Sequence, residues 1–410
     1  MTITDRLNKI LPIVYVAIAS FGITISVAGY GLFVLLLLVL VMQTILDIAK
    51  KRTRQIQVFD IKLYIVYIVL FYICSFFNGD GDFGRNSLII SYLVSVLIYF
   101  AISKGIKTQC EINNILDVFL VLLIADCIIT ILQYNNSSLG WSVWYFFNDA
   151  TTVKQAGMIE GMESGSQVIG KNYLFCPGIF PSQVYNGCIV GSLSVIALYK
   201  LYSARTWLYK LFYVLLLLII IYSMVVIQQR MAFFLFIIAF ATILYTKDKI
   251  LIISVVILLL LIYLLTGLEF GEEQLGRLVD MEDKNRQHLY SEGFDYIFSH
   301  LWVGGRQEFR AINRLSVHNV FLNAFMYGGI FGAAMIITIY MRMCVYSIKL
   351  IIKSLKVGIN ESVILAYALL IYNIISLTHN NSLLTGDPII WVLYGLMLLS
   401  LKFEKNGQRA

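Results

Sequence analysis

Residues 208–227 read LYKLFYVLLLLIIIYSMVVI, then come Gln228, Gln229 and Arg230, and a second apolar run, MAFFLFIIAFATILY, fills 231–245. Runs of this length read as helices that cross a bilayer. Lipid tolerates no unpaired backbone, and a barrel would need short alternating segments instead. The pattern recurs along a chain of 410 residues that is 59% hydrophobic and 13% charged, with mean hydropathy +0.81. That composition exposes more hydrocarbon than a soluble domain keeps in water. Outward from 208–245, the expected spans are 10–26, 28–46, 61–77, 87–102, 115–133, 184–199, 208–227, 231–245, 250–265, 319–341, 363–377 and 388–401. The expected fold is therefore all-α: one polytopic integral membrane bundle over 1–410, with about twelve transmembrane helices. Ile10 to Leu46 is almost unbroken and lacks a small-residue cleavage site, so it predicts two spans joined near Gly29 and Gly31 rather than a cleaved signal.

Charge sets the expected orientation. Lys50, Lys51, Arg52 and Arg54, then Lys104 and Lys107, Lys200 and Arg205, Lys247 and Lys249, Arg342, Lys349, Lys353 and Lys356, and Lys402, Lys405 and Arg409 all fall on one side when the N-terminus is placed in the cytoplasm. Both termini are then cytoplasmic. The net charge of +7 is spent on this orientation signal, so nucleic acid is not expected as a partner. The six cysteines, at 74, 110, 127, 176, 188 and 344, fall singly and read as packing residues without metal spacing. No internal repeat is visible, which weakens a repeat-built transporter. Two connections on the opposite side are long, 134–183 and 266–318, and loops of that length are uncommon unless functional.

The second long loop breaks the charge rule, because it holds Arg277, Arg286, Arg306, Arg310 and Arg314 against one lysine, Lys284. Guanidinium groups suit bidentate contact with phosphate oxygens, so a diphosphate ligand would explain them. Ion pairs with the loop's own acids, among them Glu292, Asp295 and Glu308, explain them as well. Arg230 sits between two apolar runs at or just below the membrane surface, where a charge faces a cavity or snorkels. His318 stands before a helix start and could move a proton near neutral pH; Gly328 and Gly332, at GxxxG spacing, would hold its helix against a neighbour. Asp126, mid-span, is a site candidate or a paired structural carboxylate. Trp144, among the aromatics of the first long loop, would stack on sugar rings or sit in an interfacial belt. His379, with Asn380 and Asn381 in the last outer loop, would line the same chamber.

The stretch from Arg286 through Trp302-Val303-Gly304-Gly305 to His318-Asn319, followed by Leu322, Gly329 and Gly332, resembles the signature loop and next helix of the O-antigen polymerase and ligase superfamily. Arg230 is similar to the family's Ser-Arg, although Gln229 replaces the serine, and Gly304-Gly305-Arg306 departs from the usual Gly-x-Gly turn. Motif-level resemblance covers roughly 228–335. It implies a glycosyltransferase in the bacterial inner membrane with its large loops in the periplasm. The donor and acceptor would be undecaprenyl-diphosphate-linked oligosaccharides, and neither metal nor other cofactor is required. His318, Arg286 and Arg230 would be catalytic. Arg306, Arg310, Arg314 and Asn319 would bind substrate, joined by Asp126, His379 and Trp144. A chain-length regulator and a flippase are the partners implied. Polymerase is preferred over ligase, and a lipid-linked oligosaccharide flippase or a non-catalytic scaffold are the rivals from other classes.

Overall fold

The computed structural model describes residues 26–27, 30–31, 59–78, 82–148, 176–227, 229–245, 284–313, 319–379 and 382–407. Apart from one pair of two-residue strands, β1 (Ser26–Val27) and β2 (Tyr30–Gly31), the regular structure here is helical. The two strands are antiparallel, Ser26 opposite Gly31 and Val27 opposite Tyr30. This reversal falls where the chain was expected to turn between its first two spans. Those spans, and the one expected at 250–265, lie outside the described residues.

The helices are α1 (Phe59–Phe77), α2 (Asp82–Gly105), α3 (Gln109–Tyr134), α4 (Ser138–Phe147), α5 (Gln183–Ser203), α6 (Trp207–Ile227) and α7 (Arg230–Tyr245), then α8 (Lys284–Ser299), α9 (Arg306–Asn313), α10 (Val320–Val357), α11 (Glu361–His379), α12 (Ser382–Thr385) and α13 (Ile389–Lys405). Six of them, α1, α2, α3, α5, α6 and α10, are long and apolar enough to cross a membrane. Their outward surface is hydrocarbon: Val69, Phe76, Val121, Trp207 and Phe212 are all exposed, as is Phe234 on the shorter α7. Lipid tails can cover such a surface, and water cannot do so cheaply. The innermost helix is α5, whose residues 186–199 are all buried. Its small residues permit this: a Cβ on Gly191 would lie 2.7 Å from the Ala232 Cβ, and one on Gly187 would lie 2.6 Å from Gln229. Thus α7 packs onto α5 through glycine.

Polar contacts align the helix ends. At the Phe59 end of α1, the fully buried Asp60 pairs with Arg342 of α10 at 2.5 Å and accepts the Tyr394 hydroxyl at 2.8 Å. At the same face Glu361 accepts from Gln109 at 3.0 Å, Asn113 at 2.9 Å and Tyr199 at 2.8 Å. Lys200 pairs with Asp117 at 2.5 Å. Two sequence expectations change here. The span expected to end at 341 continues to Val357, so Arg342 and the exposed Lys349, Lys353 and Lys356 belong to a helix rather than to a loop. Apolar residues keep their helical spacing through Ile351 and Leu355, and Gly358 stops the helix at φ 97°.

At the Phe77 end, two connections turn back into the bundle. Segment 176–182 enters α5, and segment 382–388 enters α13. Tyr64 donates to the Leu383 carbonyl at 2.8 Å and Ser95 to that of Gly386 at 2.6 Å. Ser95 stands thirteen residues into α2, about 20 Å along its axis, so this hook reaches well inside the helices. Hydroxyl donors let unpaired carbonyls be buried there.

Candidate functional site

The α8–α9 unit and the start of α10 are built around four glycines. Helix α10 breaks at Gly328 (φ −144°, ψ 19°) and Gly329 (φ 60°, ψ −162°). In an unbroken helix the Ile330 N–H would donate to the Met326 carbonyl. Instead Ile330 N–H donates to the Leu301 carbonyl at 2.8 Å, and the Met326 carbonyl accepts from Gly305 N–H at 3.2 Å. The turn 301–305 thus occupies both bonds that the break opens. Contact is close enough to demand glycine on each side: a Cβ on Gly329 would lie 2.0 Å from the Trp302 carbonyl oxygen, and one on Gly304, at φ 81°, would lie 2.3 Å from that of Met326.

The stitched turn aims the next residue inward. Arg306 opens α9, is only 7% exposed, and sets its guanidinium carbon 4.5 Å from the centroid of the Tyr327 ring. Tyr327 in turn lies 6.0 Å from Phe71 of α1, ring to ring. The guanidinium is within electrostatic reach of Tyr67 and Tyr92. Counting from Phe59 at 1.5 Å per residue places Phe71 about 18 Å up α1, roughly 10 Å short of its Phe77 end. Arg306 is therefore held at the depth of the apolar helices. Such charges normally serve a pathway or a ligand.

Around it, Ile297, Phe309, Leu322 and Met326 form a small apolar cluster. Tyr296 donates to the Gly305 carbonyl at 2.9 Å and stacks on His300 with centroids 4.1 Å apart. His300 Nε2 lies 3.3 Å from Glu308. Burial first, then the facing Glu308 carboxylate, push the Tyr296 hydroxyl above the usual tyrosine range. This Tyr296–His300–Glu308 group escaped the sequence reading. Its signal was present as an aromatic and a histidine four residues apart, with an acid eight residues on, all in the arginine-rich loop.

The other expected site residues are dispersed. Asn319 caps α10, accepting from Phe321 N–H at 2.9 Å and Leu322 N–H at 3.2 Å. Arg230 opens α7, Arg286 lies in the first turn of α8, Arg310 lies in α9 and His379 ends α11; their side chains, with all of Arg314 and His318, lie outside the described residues. Asp126 and Trp144 belong to the clamp on segment 176–182. Asp126, fully buried, accepts from Ile179 N–H at 2.9 Å. Gln133 grips Gly178 at both its N–H (2.9 Å) and its carbonyl (2.8 Å). The buried Trp144 donates its indole N–H to the Phe180 carbonyl at 2.8 Å. Those bonds give both residues structural work, and among the described contacts none joins them to Arg306. Nor do the described residues hold any group of three His, Cys, Asp or Glu that would bind a metal ion. No family model and no curated protein matches this chain.

Proposed function

We propose that the chain is an O-antigen polymerase: a metal-independent glycosyltransferase of about twelve helices in the bacterial inner membrane. It joins undecaprenyl-diphosphate-linked oligosaccharide repeat units on the periplasmic face, and both its termini are cytoplasmic. The acceptor hydroxyl oxygen attacks the anomeric carbon of the donor sugar. The bond from that carbon to the diphosphate oxygen breaks, and the lipid diphosphate leaves with the electron pair. His318 takes the hydroxyl proton. Arg306, with Arg230 and Arg286, stabilises the charge that grows on the leaving diphosphate. Arg310, Arg314 and Asn319 would contact the same substrate.

The observation that carries this reading is the depth of Arg306. A lipid diphosphate presents its charge at the membrane boundary. A permanently charged, forked donor held below that boundary in an aromatic setting suits such a group. The lysine-rich face around Asp60 and Glu361 supports a cytoplasmic location for the opposite helix ends. The test is surface polysaccharide from a deletion strain complemented with Arg306→Gln or His318→Ala. A polymerase is expected to lose the ladder to a single repeat unit on lipid A core while the protein level holds. Loss of all core-attached polymer, with lipid-linked polymer retained, would indicate a ligase instead. A normal ladder from Arg306→Gln would refute the site.

A further inference from the structure

Helix α8 has three faces rather than two. Leu289, Gly293 and Ile297 turn inward, and His288, Ser291, Asp295 and Ser299 form a polar exposed sector. Phe294 and Phe298 form a third sector, 54% and 77% exposed. At about 100° per residue, Phe294 and Phe298 lie within roughly 40° of one another, and Asp295 lies on the far side of Phe298. Trp302, 67% exposed, continues the aromatic row past the helix end. Its ring lies 6.2 Å from that of Phe331, on the exposed side of the membrane-length α10. The row is thus continuous with the apolar outer surface of the bundle. Backbone bonds on either side of Tyr327 hold the turn 301–305 at the level of Phe71. That is roughly 10 Å inside the Phe77 end of α1. Trp302 is thus two-thirds exposed at a level inside the helix ends.

We infer that the Phe294–Phe298–Trp302 edge is a lipid-docking surface: the α8–α9 unit lies in the leaflet at the Phe77 end, with this edge among acyl chains and its His288–Asp295 sector at the headgroups. Interfacial helices divide in this way, with aromatic groups buried a few ångströms below charged ones. A consequence follows for Arg306, which the same unit carries: its depth is set by the membrane as well as by α10. The inference requires that the bundle cross a membrane. It does not require that the chain be a transferase.

The full chain is reconstituted in phosphatidylcholine–phosphatidylglycerol vesicles with or without lipids spin-labelled on the acyl chain. The Trp302 emission is the difference between wild type and Trp302→Phe, a change that spares the turn's main-chain bonds. The expected result is loss of most of that emission with spin-labelled lipid and little loss with aqueous iodide. Phe298→Trp in the Trp302→Phe background is expected to behave alike, one helical turn nearer the headgroups. Iodide quenching without lipid quenching at both positions would mean that the edge faces water, and would overturn the inference while leaving the transferase reading intact.

Discussion

Replacing Gly329 by alanine tests the stitched helix break directly. Gly329 holds φ 60° with ψ −162°, a region that costs a residue with a Cβ about 1–3 kcal/mol. The added carbon would also lie 2.0 Å from the Trp302 carbonyl oxygen, 2.4 Å from the Trp302 carbonyl carbon and 2.9 Å from Val303 nitrogen. All three are backbone atoms, so no side chain can swing aside. The turn must withdraw, and the bonds Ile330 N–H to Leu301 and Gly305 N–H to Met326 break with it. Stranding such groups costs about 1–3 kcal/mol each, but a straightened α10 would recover one bond between Ile330 and Met326. That leaves the Leu301 carbonyl and the Gly305 N–H stranded, so the net expected loss is about 2–6 kcal/mol. The control is Gly358→Ala: Gly358 holds φ 97° with ψ 175°, the same backbone region, but nothing lies within 4 Å of its Cβ position, so only the strain of about 1–3 kcal/mol is expected. The assay is thermal unfolding of both purified variants in the same detergent. Equal destabilisation by the two would refute the account, because it would mean that the docked turn contributes nothing beyond the glycine conformation.

Further consequences follow from the polar contacts. Arg342→Ala strands the fully buried Asp60 and is expected to cost about 3 kcal/mol, the low end for a buried pair because Arg342 is partly exposed; Asp60→Asn added to it should restore part of the loss in chemical denaturation, and a further drop would refute the pairing. Gln133→Leu leaves the Gly178 N–H and carbonyl without their side-chain partner and is expected to cost about 2–4 kcal/mol, whereas Trp144→Phe, which removes a single bond, should cost about 1 kcal/mol in the same assay. Asn319→Ser keeps a cap on α10 and should keep stability within about 1 kcal/mol. Retention of polymer with it makes Asn319 a cap alone, and loss of polymer at normal stability makes it a substrate contact.

Much of the helical frame was legible because hydropathy is additive over twenty residues. The runs at 61–77, 208–227 and 231–245 needed no tertiary information, and α1, α6 and α7 begin within two residues of expectation. The GxxxG spacing did not mark the close approach: a Cβ on Gly328 or Gly332 would make only ordinary contact with the Tyr67 ring, at 3.6 and 3.4 Å. What escaped was every feature in which backbone bonds to distant backbone. Gly328-Gly329 reads as a smooth small-residue face until a partner turn is known to supply the missing donor and acceptor, and that partner, Leu301 and Gly305, lies more than twenty residues back along the chain. The hooks at 176–182 and 382–388 escaped as well, since nothing in a short polar or mixed segment tells which side chains of other helices will bond its backbone: Gln133, Trp144 and Asp126 for the first, the Tyr64 and Ser95 hydroxyls for the second. Arg306 was visible only as one arginine among five. Its burial comes from the stitched turn, not from its neighbours in sequence.

Buried carboxylates bear on the choice between an enzyme and a transporter, because ionisable groups inside a bundle mark transport pathways by default. Asp126 and Asp387 are such groups. Asp126 is fully buried, yet it holds Ile179 N–H, and Gly178 beside it, at φ 63°, has room for no Cβ because the Asp126 oxygen lies 2.1 Å from that position. Asp387 accepts the Tyr185 hydroxyl at 3.0 Å, the Tyr372 hydroxyl, and Ile389 N–H at 3.2 Å. Each carboxylate therefore closes a hook onto the helices, Asp126 with one accepting oxygen and Asp387 with both; the task requires an accepting oxygen rather than a charge, because the Tyr372 hydroxyl can turn to accept from an amide. Asparagine supplies one. Asp126→Asn and Asp387→Asn are accordingly expected to fold to wild-type levels and to keep the polysaccharide ladder, while Asp126→Leu, which strands the Ile179 N–H, should lower stability by about 1–3 kcal/mol. A carrier that loads protons or cations on these groups would behave in the opposite way, losing activity in both asparagine variants at normal protein levels. That outcome would remove the argument for a transferase from these two residues and return them to a transport path.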